Sequence, residues 1–99
     1  MDIHFLYHGQ RFVWDSEKAS SNASKHGVSF EVACQIFFDP FIRIDDASGA
    51  EEQRDAAIGL TEDWTSLFVV HMLLEGETIR IISARPATAQ ERRSYEDSE

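Results

Sequence analysis

The stretch IRIISARPATAQERRSYED, residues 79–97, gathers four of the chain's nine basic residues. Guanidinium groups grip phosphate or carboxylate through paired N–H donors, so the chemistry these arginines offer is anion binding. A plain alternative is a solvated edge strand and a capped terminal helix whose arginines keep the chain soluble, and spacing alone favours it. Other candidates are thinner. His4 and His8 stand four apart in a segment with strand character, where that spacing has no claim to a metal. His71 lies among apolar neighbours and reads as a satisfied core histidine. The pairs Asp45-Asp46 and Glu51-Glu52 read as solvated loop rather than a catalytic dyad. No P-loop, GxGxxG, HExxH or CxxC pair is present, which removes sequence support for nucleotide and structural zinc sites.

The elements that must position these residues follow from periodicity and breakers. Ile79 to Ala84 alternates as a strand, Pro86 stops it, and Thr88 with Glu91 forms the T-x-x-E capping box of a last helix. Glu75-Gly76-Glu77 joins that strand to Leu67–Leu74 (LFVVHMLL) as a hairpin. Phe41 to Asp46 alternates as another strand. Upstream, Ile3–Tyr7 and Arg11–Trp14 flank a Gly-containing break and allow a short hairpin. Asp15 caps a helix over Ser16–His26, and Gly27 supplies its C′ residue. Ser29 caps a second helix with Phe30, Ala33, Cys34 and Phe37 on one stripe, stopped at Asp39-Pro40. The segment Glu52–Leu60 is ambiguous, since its alanines favour helix where a meander wants a strand. Helices, then strands, then one helix reads as α+β with an antiparallel sheet.

Ninety-nine residues make one domain, residues 1–99, able to bury a modest core without staples. The single Cys34 permits no internal disulfide and points to a reducing compartment. No signal peptide opens the chain and no apolar run is long enough to span a bilayer, so a soluble, cytoplasmic protein is expected. The formal net charge is -9. Between residues 79 and 95 four arginines face one glutamate, and the tail 96–99 returns to acid. Such a body repels nucleic acid at long range and attracts a basic partner, so a nucleic-acid role needs a local basic site.

Three blocks in order, FVWDSEKASSNASKHGVSFEVACQIFFDP, EEQRDAAIGL and IRIISARPATAQERRSYE, resemble the BrnT family, the toxin halves of bacterial type II toxin–antitoxin pairs. The resemblance runs from about Phe12 to Tyr95, and residues 1–10 read as an N-terminal addition that the fold could lose. It implies a RelE-like α+β fold: two N-terminal helices packed on an antiparallel sheet, a C-terminal helix closing one side, and Glu52–Leu60 as a strand. It implies an endoribonuclease that cuts RNA without metal or other cofactor. The implied partner is a BrnA-like ribbon-helix-helix antitoxin, with DNA touched only through that antitoxin.

The resemblance directs attention to Lys25-His26-Gly27 and the arginines. Cleaving RNA without metal needs a base for the 2′-hydroxyl, charge stabilisation at phosphorus and an acid for the leaving 5′-oxygen. Histidine titrates near neutrality, which makes His26 the candidate base or acid. Arg54, Arg80 and Arg85 are candidates to hold the phosphate, and Lys25 to add charge or a proton. Arg80 and Arg85 are five apart and face opposite sides of a regular strand, so both serve one site only if the chain bends after Ser83. Structural roles compete for each residue: helix C-terminal charge for Lys25 and His26, surface ion pairs for Arg54 and Arg80. A rival function is a binding module, weak or inactive in catalysis, that holds a basic antitoxin in a transcriptional repression complex.

Overall fold

The computed structural model describes residues 1–49 and 53–97. The pair Glu51-Glu52 and the last two residues of the acidic tail lie outside them. The chain opens on a hairpin, β1 (Asp2–Tyr7) and β2 (Gln10–Asp15), followed by α1 (Ser16–His26), a one-turn α2 (Phe30–Ala33) and a 3-10 segment (Cys34–Phe38). Four strands follow, β3 (Arg43–Asp46), β4 (Asp55–Leu60), β5 (Ser66–Leu73) and β6 (Ile79–Pro86), and α3 (Ala89–Asp97) ends the described chain. All six strands form one sheet in the order β1-β2-β6-β5-β4-β3.

Three expectations are corrected. A hairpin, not a helix, comes first. Its strands pair over their full length, with Phe5 and Tyr7 packed against the core, so residues 2–7 are part of the sheet. The sheet is mostly antiparallel rather than wholly so, because β2 joins β6 in parallel through Phe12↔Ile79 and Val13↔Arg80. The second helix tightens to 3-10 geometry after one turn, which brings Ile36 as well as Phe30, Ala33 and Cys34 to full burial.

Local signals set the other boundaries. The Asp15 carboxylate accepts from the Lys18 amide at 3.0 Å, and Gly27 closes α1 at φ 70. Ser29 Oγ accepts from the Val32 amide at 3.1 Å. In the capping box, Glu91 Oε1 accepts from the Thr88 amide and the Glu91 amide donates back to Thr88 Oγ1, at 2.8 and 3.2 Å. The segment that propensity leaves open is β4. Tertiary pairing decides it, and its Gly59 lets Ile36 approach so closely that an added Cβ would stand 2.9 Å from Ile36 Cβ.

The core lies between α1, α2 and the 3-10 segment on one side and the sheet residues Phe12, Trp14, Ala57, Leu67, Val69, Ile81 and Ala84 on the other. α3 sits against the opposite sheet face, where its Glu91 and Ser94 meet Arg85 and Arg43. Burial pushes the Cys34 thiol up to about 12, so Cys34 is a core residue and no nucleophile. Among the described residues no helix is long and apolar enough to cross a membrane.

Candidate functional site

β2 follows β6 only as far as Arg80 and then turns away into α1. That departure would leave the β6 backbone near Ala84 without a partner in a buried place. The side chain of Asn22, on α1, supplies one. Its Nδ2 donates to the Ala84 carbonyl at 2.8 Å and to the Val28 carbonyl at 3.0 Å, and its Oδ1 accepts from the Ala84 amide at 3.1 Å. Asn22 thus does for Ala84 what a neighbouring strand would do, and it ties the end of α1 to β6.

A groove of about 440 Å³ runs beside this tie, between α1 and the edge of β6. Lys25 and His26 line it from the last turn of α1, and Ile82 and Ser83 line it from β6. Asp15 and Glu17 stand at its acidic end. Lys25 is exposed and His26 half-buried, so both can meet a ligand.

The arginines are placed by the sheet. β5 and β6 slip register between Val70 and His71, leaving Ile82 as the extra residue of a bulge. Ile81 and Ala84, three apart, therefore both enter the core, at 1% and 0% exposure. By the same shift Arg80 and Arg85 share the face turned away from α1. Arg43 joins them, since Arg43 pairs with Ile58, Ile58 with Phe68, and Phe68 with Arg85. Arg11 stands two residues from Val13, which pairs with Arg80, and so points the same way. Carrying the β4 register one residue past its start sets Arg54 opposite Met72, in the row of Arg80. This face collects most of the chain's arginines, which composition alone conceals.

Arg85 is the most firmly held of them. Its Nη1 and Nη2 each donate to the Glu91 carboxylate at 2.8 Å, and its guanidinium lies 4.2 Å from the Phe68 ring centroid. The pairing with Glu91 raises the Arg85 pKa further above its ordinary value, and the Arg85 hydrogen bonds hold the Glu91 carboxyl below the usual range. Arg80 spends its fork on Asp2, with contacts of 2.9 and 3.4 Å. The Arg54 backbone is pinned by Ser48, whose Oγ accepts from the Arg54 amide at 3.1 Å.

The five candidates thus separate into two groups. Lys25 and His26 share the groove, and Arg85 lies two residues along β6 from the groove residue Ser83, on its face. Arg80 and Arg54 lie in another row. Phe68 and Met72 mark the two rows, four residues apart on β5, or roughly 13 Å at strand rise. Sequence reasoning did not single out Asn22, Phe68, Arg43 or the grip of Glu91 on Arg85. Glu91 was visible only as a cap; its second role depends on where α3 lands.

A family model described as the ribonuclease toxin BrnT of type II toxin–antitoxin systems matches residues 14–91. Among solved structures the chain is similar to the ribonuclease toxin BrnT of Brucella abortus, with a TM-score of 0.56 and 25% identity, covering 76% of this chain and 92% of that one. No curated protein matches the chain.

Proposed function

The chain belongs to the BrnT family of ribonuclease toxins of type II toxin–antitoxin systems, and on that premise we propose that it cleaves cytoplasmic RNA at the junction of the α1/β6 groove and the arginine-bearing sheet face. His26 takes the 2′-hydroxyl proton as the 2′-oxygen bonds to phosphorus. Arg85 holds the non-bridging oxygens as charge builds on them. The bond to the 5′-oxygen breaks and Lys25 donates the proton that oxygen needs, leaving a 2′,3′-cyclic phosphate and a 5′-hydroxyl. Imidazole, ammonium and guanidinium suffice for this sequence, so the reaction needs no metal. Arg54 and Arg80 track the flanking phosphates.

The observation that carries this reading is the juxtaposition of Lys25 and His26 with Ser83, two residues from an Arg85 whose plane is fixed by Glu91 and Phe68. Binding by a RelE-like toxin of a BrnA-like ribbon-helix-helix antitoxin completes the proposal, with promoter DNA reached only through the antitoxin. Expressing the chain in bacteria, alone and beside a ribbon-helix-helix frame adjacent to it, tests the pair. Growth arrest that the second frame relieves is the expected result.

One observation favours a second reading, a toxin-like binding module of weak activity. Arg80 and Arg85 each already hold a carboxylate, at 2.9 and 2.8 Å, and phosphate must compete with it. Chain alone causing no arrest, while binding the antitoxin, selects this reading.

A further inference from the structure

A second concavity, of about 260 Å³, opens at the other side of the core and shares no residue with the α1/β6 groove. Tyr7 at the end of β1, His8 in the turn after it, Phe38 at the end of the 3-10 segment and Trp64 in the β4–β5 turn line it, together with Glu62 and Asp39. Tyr7, His8 and Phe38 meet edge to face, with ring centroids 4.2 to 5.3 Å apart. The Tyr7 hydroxyl donates to Glu62 Oε1.

Trp64 is the unusual member. It is 79% exposed, and its backbone sits at φ 66, a conformation that bulky residues rarely adopt. The turn that presents it is tightly made. The Thr65 hydroxyl donates to Asp63 Oδ1 at 2.8 Å, the Thr65 amide to Thr61 Oγ1 at 3.1 Å, and the Trp64 amide to the Thr61 carbonyl at 3.0 Å. Neither solubility nor the core explains an indole held in water at a conformational cost.

We propose that this aromatic and acidic cleft receives an arginine side chain from a basic segment of a partner protein. A guanidinium stacks on an indole face and forks onto a carboxylate, and Trp64 and Glu62 offer those two surfaces together. A carboxylate has about four lone-pair positions, so Glu62 can accept from the arginine while keeping the Tyr7 hydroxyl. The volume suits one side chain, below the roughly 300–1,000 Å³ of small-molecule pockets. Glu62 and Asp39 in the lining repel phosphate, so RNA is the wrong occupant, and the net charge of -9 draws a basic segment in. Naming the partner as the antitoxin rests on the proposed function; the cleft's preference for arginine does not.

Trp14 is 2% exposed, so a change in the protein's surface tryptophan emission reports Trp64. Titration of the full chain with hexa-arginine, hexa-lysine and oligouridine peptides and strands at physiological ionic strength tests the inference. Hexa-arginine should shift the emission and bind about tenfold tighter than hexa-lysine. By anisotropy of a labelled hexa-arginine, Trp64→Ala, which leaves the net charge unchanged, should weaken binding about tenfold, and Glu62→Gln comparably. Melting curves of both variants confirm folding, and Trp64→Asn, which tolerates φ 66 better, should melt no lower than the parent. Equal affinity for the two peptides, or unchanged affinity in Trp64→Ala, would overturn the proposal. So would saturation of the Trp64 signal by oligouridine, or self-association that Trp64→Ala abolishes. RNA cleavage by Trp64→Ala should stay at the parent level, which separates failure of the cleft from failure of the ribonuclease reading.

Discussion

Arg85 shows what one residue owes to its surroundings. Its two terminal nitrogens lie 2.8 Å from the Glu91 oxygens and its plane lies over Phe68. A lysine there keeps the charge but offers a point donor in place of a planar fork. Arg85→Lys is therefore expected to lose most cleavage, with kcat falling more than KM rises, because a fork aimed at a developing charge acts in the transition state. Arg92 donates from its Nη1 to the Ala87 carbonyl at 3.0 Å, at its own helix entrance. Arg92→Ala should leave cleavage near the parent rate, and steady-state kinetics on a short RNA compares the two. The arginine types were legible in the sequence. Their common face was not, because alternation puts residues 80 and 85 on opposite sides. The bulge at Ile82 reverses that parity, and no residue type near it announces a bulge.

At the scale of elements, α1 stands where a strand would otherwise be. Cap signals fixed both its ends, at Asp15 and Gly27, directly from the chain. Its partner was hidden, since Asn22 looks like one more polar residue on a poor helix. In the fold its amide closes three hydrogen bonds to Ala84 and Val28 in a 7% exposed position. Asn22→Leu fills a similar volume but leaves those backbone groups unmatched. Each such buried group costs about 1–3 kcal/mol, so the variant should unfold at clearly lower urea concentration with an unchanged m-value. Because the same tie holds the turn carrying Lys25 and His26 to β6, activity should also fall in the fraction that remains folded. Asn22→Leu with parental stability would remove the strand-mimic role. The strand β4 makes the opposite point: its alanines say little, and its neighbours β3 and β5 decide its form.

For the molecule as a whole, charge is sorted by surface rather than by segment. The sequence shows a chain of net charge -9 with a basic stretch near its end. Folding gathers Arg11, Arg43, Arg80 and Arg85 from three different strands onto one sheet face, which no window along the chain can reveal. A buried imidazole also couples the fold to pH. His71 is 4% exposed, stacked edge-on against Phe37, and burial lowers its pKa below the ordinary value. The unfolded chain therefore binds a proton more readily than the folded one. The stability contributed is complete above the unfolded imidazole value, roughly 6.5, and is lost as pH falls toward and through the lower folded value. Melting temperature should decline over that window, and His71→Gln should flatten this part of the decline. A parental slope in His71→Gln would assign the decline to other groups.

In the proposed reaction an imidazole on α1 and a guanidinium on β6 act on one phosphodiester. Cleavage of a short single-stranded RNA by purified, antitoxin-free protein, with chelator present, tests it most directly. The parent should cut and leave 2′,3′-cyclic phosphate ends, and His26→Gln, which keeps much of the shape but removes the imidazole, should lose about 10²-fold or more in rate. Parental cleavage by His26→Gln, or none by the parent until the chelator is withdrawn, would contradict the account.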